Sequence, residues 1–257
     1  MLPLSDENPT LRKPLMTYAI LASLLVVWVV AQGAGLDERQ LAVTVCNYGL
    51  VPAELTHTRP IGYAVPIGAG LACAIDASPI NMWTPLTSMF LHGGWAHILG
   101  NGLFFWIFGN NVEDSMGRAR FLVFYLLCGI AAAATHVLVN PTSPVPTVGA
   151  SGAISGVLGA YLVLYPRVRV NTLLFFVIFV RFVTVPAWLM LLYWFGYQVL
   201  LGLPELTPLK PEVTSGVAAW AHVGGFVSGV VLVKLFENRA LVRERESIRH
   251  LLHPEHP

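Results

Sequence analysis

Charge is what this chain has least of: 15 basic and 14 acidic residues among 257, or 11%, leaving a net of +1. Soluble domains carry about 25% charged residues, so water is not the main solvent for most of this chain. The basic residues are too thinly spread to form a nucleic-acid surface. Acidic residues are missing altogether from the long apolar runs, and no period of about 20 to 50 residues repeats. Both absences argue against an ion-coupled transporter, which needs buried charge and often carries inverted repeats. Cysteine is scarce as well. Cys46 and Cys73 fall in one long connection of 48 residues, which leaves their pairing open, and Cys128 falls in an apolar run and reads as core.

What is abundant is apolar: 55% of the residues are hydrophobic and the mean hydropathy is +0.66. Spanning the hydrocarbon core of a bilayer takes about 20 apolar residues as helix, because lipid offers backbone groups no partners. Six segments qualify, at 17–35, 84–110, 119–139, 150–166, 184–203 and 217–236. The expected fold is therefore all-α, a polytopic bundle of six transmembrane helices over 17–236, between an N-terminal segment 1–16 and a charged tail 237–257. Leu173 to Val180 is too short to span and precedes Arg181, so it reads as a segment at the interface. Pro186 suits the first turn of the fifth helix. The apolar run Ile61 to Ile75, broken by Pro66 and glycines, reads as structure embedded at the outer interface.

Placing both termini in the cytoplasm puts Arg12, Lys13, Arg118, Arg120, Arg167, Arg169, Arg181, Lys234, Arg239, Arg243, Arg245 and Arg249 inside. Only Arg39, Arg59 and Lys210 are then outside, the bias expected of a cell membrane protein, inner or plasma. Arg12 and Lys13 before the first span, with Ala31, Gly33 and Ala34 after it, also fit a cleaved signal peptide, whose removal would leave the other five spans oriented as before. The tail, with His250, His253 and His256, reads as a solvated end.

Polar groups within these spans need explaining. His92, His97 and Asn101 lie near the outer end of the second, and His97 and Asn101, four apart, share a helix face. Gly149-Ala150-Ser151-Gly152 opens the fourth, where a proline-containing loop from Asn140 becomes helix and first-turn N–H groups lack partners. His222 lies near the outer end of the sixth, on one stripe with Gly225 and Gly229. The fourth has its own small stripe, Ser151, Ser155 and Gly159. If the stripes pack together, Ser151 comes within a hydrogen bond of His222, which could then take the hydroxyl proton. Asn101, His97 and the N–H groups of Ser151 and Gly152 would face a developing oxyanion. Taken singly, each feature has a plainer reading: serines in membrane helices bond to carbonyls, and small stripes pack helices. The joint occurrence carries the inference.

Over roughly 80–236 these residues resemble the rhomboid family. The matching motifs are His92, His97-x-x-x-Asn101, Gly149-Ala150-Ser151-Gly152 and Ala221-His222-x-x-Gly225-x-x-x-Gly229. Gly109-x-x-x-Glu113 with Gly117, and Arg181 with Pro186-Ala187-Trp188, match as well. The resemblance implies a six-helix intramembrane serine protease that cuts transmembrane protein substrates, with no metal or organic cofactor. It casts Ser151 as nucleophile, His222 as base and then acid, and His97, Asn101 and the Ser151 N–H as oxyanion donors. His92, Gly149, Gly225 and Gly229 become supporting residues, Glu113 is structural, and the fifth helix is a side gate. Some rhomboids carry an aromatic residue four places after the nucleophile, in support of the histidine; Ser155 stands there in this chain. The nearest rival is an inactive rhomboid-like protein that binds membrane clients. A zinc site on His92, His97 and His222 lacks a His-Glu-x-x-His helix, and Gly149-Ala150-Ser151-Gly152-Ala153 lacks the final glycine of a hydrolase elbow.

Overall fold

The computed structural model describes residues 1–68, 70–176, 179–207 and 218–252. Lys210, His253 and His256 lie outside these, and so does the start of the sixth predicted span. In chain order the elements are β1 (Leu2–Asp6), α1 (Leu15–Val26, continued by a wider turn Val27–Ala31), α2 (Glu38–Tyr48), α3 (Pro52–Thr56), β2 (Ala64–Gly68) and β3 (Leu71–Ala74). Then come α4 (Thr84–Thr87), α5 (Trp95–Met116), α6 (Arg118–Val139), α7 (Ser151–Leu164), β4 (Arg169–Phe176) and β5 (Phe179–Pro186). The chain ends with α8 (Ala187–Gly202), α9 (Ala219–Phe236) and α10 (Arg239–Leu252).

The chain is mostly helical rather than all-helical. Residues 173–176 and 179–180 belong to an antiparallel pair of strands, β4 and β5, and β1 adds to the free edge in the order β1-β4-β5. The β-branched and aromatic residues of Arg169–Phe176 and Phe179–Pro186 suit a pleated ribbon. Pro186 ends β5 and caps α8 rather than starting it. The run Ile61 to Ile75 contains a second antiparallel strand pair, Ala64–Gly68 with Leu71–Ala74. The second predicted span is displaced: Gly93 and Gly94 break the chain, so the long helix starts at Trp95 and runs on to Met116.

Helices α6, α9 and the stretch Ala187–Leu206 are long and apolar enough to cross a bilayer, and Leu15–Ala31 and Ser151–Leu164 are shorter apolar helices. Leu25, Val30, Leu99, Val123, Leu138, Leu200 and Val231 are exposed, a belt that water would not tolerate and lipid would. Beneath it Phe105, Phe108, Phe121, Phe124, Tyr125 and Tyr161 are fully buried, joining α5, α6 and α7 in one core.

The first helix is tied to that core by one carboxylate. Glu113, 3% exposed, accepts from the Met16 N–H at 3.0 Å, the Thr17 N–H at 2.7 Å and the Thr17 hydroxyl at 2.8 Å. It thereby serves donors that the first turn of α1 cannot satisfy internally.

The charged end of the bundle is a second polar centre. Arg245 of α10 donates to Asp114 at 3.0 Å, to Asn8 at 2.8 Å and to Asn111, and lies over the Tyr165 ring. The tail is therefore docked rather than simply solvated, because a buried guanidinium must be paired. Asp6 accepts from Tyr161 and from Asn111. Burial outweighs these bonds and the nearby Arg245, and raises its carboxyl from the ordinary 3.8 to about 6. A raised carboxylate makes the folded state bind more protons. The Asp6 contribution is then fully present below its ordinary value and is lost as pH rises through about 6. The melting temperature of wild type in detergent should accordingly fall relative to that of Asp6→Asn as pH rises from about 4 to about 7; a constant difference would count against it.

At the opposite end, Cys46 of α2 is joined to Cys73 of β3 across 27 residues. Closing a loop of that size is worth about 3.5 kcal/mol in the chain-entropy account. Cys46→Ser should therefore open residues 36–83 to limited proteolysis while the buried core resists; unchanged digestion would show that the clip contributes nothing.

Candidate active site

Helices α7 and α9 run side by side in the same direction, and their glycines set the separation. A Cβ on Gly225 would lie 2.0 Å from the Gly152 carbonyl oxygen, and one on Gly229 would lie 1.9 Å from that of Gly156. Main chain touches main chain along this seam. The contact brings the starts of the two helices level, so that Ser151 Oγ lies 2.7 Å from His222 Nε2.

Ser151 is the first residue of α7, where N–H groups have no intrahelical acceptor and the helix dipole is positive. The residue before the turn, Gly149, has φ of +133°, and a Cβ there would be 2.7 Å from His97 Nε2; only glycine fits both constraints. The Gly149 N–H is held by the Ser88 carbonyl at 2.9 Å, and Thr147 pairs with Leu50. The loop that presents Ser151 is thus anchored on both sides.

Two donors converge on this turn from α5. His97 Nδ1 accepts the Gly93 N–H at 3.3 Å, which leaves Nε2 as the protonated nitrogen of the neutral ring, beside Gly149 and Ser151. Asn101 is buried one turn further on, and its Nδ2 donor has no protein partner among the described residues. His92 does not reach Ser151. It lies before α5 rather than on it, its main chain is clasped by Gln32 in two hydrogen bonds of 2.7 and 2.9 Å, and its ring meets His97 edge-on at 5.1 Å.

Ser155 gives the histidine no support. Its hydroxyl bonds back to the Ser151 carbonyl at 2.6 Å, and its Cβ packs in the seam against Gly225. Support comes instead from α8. Trp194 lies against the His222 ring at 5.8 Å between centroids, and Gln198 Oε1 is 2.8 Å from His222 Nδ1. Gln198 was missed in the sequence, where Trp194 reads as an interface or packing residue. The signal was there: a polar glutamine in an apolar span, four residues after a tryptophan and so on the same face. His136, also missed, holds Thr147 at 3.1 Å.

Ser151, His222, His97, Asn101 and Gln198 line one cavity of about 710 Å³. It places a hydroxyl within a hydrogen bond of an imidazole, with unpaired donors alongside, the geometry that nucleophilic catalysis requires.

Residues 79–239, more than half of the chain, match the family model for the Rhomboid domain. Among curated proteins, the Rhomboid protease GluP of Bacillus subtilis is 45% identical over 80 residues, covering 31% of this chain and 15% of that protein. The Putative rhomboid protease YdcA of the same organism is 39% identical over 80 residues, covering 31% of this chain and 40% of its own. RHOMBOID-like protein 1 of Arabidopsis thaliana is 28% identical over 167 residues, covering 63% of this chain and 38% of its own. The chain spans less than half the length of each of these relatives.

Proposed function

The chain belongs to the rhomboid family, and from that premise we propose that it is an intramembrane serine endopeptidase cutting peptide bonds in or near the transmembrane helices of other membrane proteins. The observation that carries this reading is the 2.7 Å contact between Ser151 Oγ and His222 Nε2. Nε2 takes the hydroxyl proton as Oγ attacks the substrate carbonyl carbon. The negative charge that develops on the carbonyl oxygen falls between the Ser151 and Gly152 N–H groups, Asn101 Nδ2 and His97 Nε2, in a place of low dielectric. The imidazolium then protonates the departing amine, and a water activated by the same nitrogen releases the acyl group from Ser151.

The proposal includes six spans, α1 and α5 to α9, with both termini in the cytoplasm. The site end of the bundle then faces outward, where water can reach it. Substrate helices enter beside α8, whose outer face is exposed through Leu189, Leu192, Tyr193 and Leu200.

Purified protein offered a transmembrane substrate and a fluorophosphonate probe tests the reading. Cleavage that survives a chelator, with the probe recovered on Ser151, is the expected result. An unlabelled protein that holds the same substrate without cutting it would favour the client-binding alternative, and inhibition by chelation would favour a metalloenzyme.

A further inference from the structure

A glutamine is costly inside an apolar helix unless it has work to do. Gln198 is 6% exposed, lines the cavity and faces His222. The atoms in contact decide what it does. An amide oxygen can only accept, so at 2.8 Å from Oε1 the Nδ1 of His222 must carry the hydrogen of the neutral ring. Nε2 is then left with its lone pair, and that lone pair faces Ser151 Oγ at 2.7 Å. In the other tautomer Nε2 would donate to the serine oxygen and could take no proton from it.

We propose that Gln198 is the positioning residue of the pair: it fixes His222 in the Nδ1–H tautomer and turns Nε2 toward Ser151. This deepens, and rests on, the reading of Ser151 and His222 as nucleophile and base. Nucleophile, base and anchor then come from three helices, α7, α9 and α8. During attack the same amide oxygen accepts from the imidazolium, so the bond persists as the ring charges. Trp194, one turn earlier on α8, closes the remaining side of the ring. Together they supply from α8 what Ser155 cannot supply from α7.

The test is a set of variants of the full chain read in three ways. Gln198→Leu keeps the volume and removes the acceptor; Gln198→Glu keeps the acceptor. Gln198→Leu should lower kcat and the rate of fluorophosphonate labelling by about 10- to 100-fold, with KM little changed, and Gln198→Glu should recover most of that loss. Nitrogen NMR of labelled histidine in the wild type should show His222 protonated on Nδ1, and in Gln198→Leu a mixture of tautomers. A wild-type ring protonated on Nε2 overturns the assignment whatever the activity. Equal losses in the Leu and Glu variants, or labelling by Gln198→Leu within about twofold of wild type, overturn it too. Failure of the protease reading looks different: the Nδ1–H signal persists while neither probe nor substrate reacts.

Discussion

Ser151→Ala and His222→Ala should each bring cleavage down to background, a loss of about 10⁴-fold or more, and the double variant should be no worse than either single one. The reason lies in how the two side chains share one step. Without the hydroxyl there is no atom to attack, and without Nε2 the proton has nowhere to go as Oγ bonds to carbon. Each loss is therefore complete by itself, and the second adds nothing. Neither substitution touches the glycine seam, so both proteins should melt near the wild-type temperature. Cleavage by Ser151→Ala at a tenth of the wild-type rate, or a double variant clearly worse than both singles, would mean that another group carries the reaction.

Gly229→Ala is expected to hurt both stability and activity, although residue 229 is remote from the reacting atoms. The added Cβ would meet the Gly156 carbonyl oxygen at 1.9 Å and its carbon at 2.6 Å. Main chain cannot rotate out of the way as a side chain can, so α7 and α9 must part. Overpacking of this kind costs about 1–3 kcal/mol, and a shift of about 1 Å between nucleophile and base costs about 100-fold in rate. Gly196→Ala on α8 is the control, because a Cβ there meets nothing within 4 Å. Thermal unfolding and cleavage measured on the same preparations decide it: Gly229→Ala should fall in both while Gly196→Ala stays near wild type. Wild-type turnover by Gly229→Ala would show that the seam does not set the catalytic distance.

Much of this was legible in the residues. The runs now occupied by α6, α8 and α9 stood out because lipid permits only long apolar helices, and the stripes of Gly225 with Gly229 and Ser151 with Ser155 announced which helices could touch. The strand pairs were not legible. Leu173 to Val180 reads as apolar whether it lies flat or pairs, and its partner β1 is some 170 residues away in sequence, beyond any local pattern. His92 was placed on a helix because two glycines were read as part of a span, whereas they break it. The orienting role of α8 was hidden for another reason. Gln198 stands out as a polar residue in an apolar span, but the nitrogen it faces lies on another helix and cannot be read from the sequence around it.

The bond between Cys46 and Cys73 also bears on how the molecule is made. Such bonds form and persist on the oxidising side of a membrane and are rare on the reducing side, and the oxidising side is where the proposed orientation puts this one. During synthesis it can close only after both cysteines have been carried across, which requires α1 to have taken up its place. A chain threaded the opposite way round would leave both thiols in the reducing compartment. In the proposed orientation the clip would be a covalent record of correct insertion, written once at biogenesis and carried by the outward face thereafter.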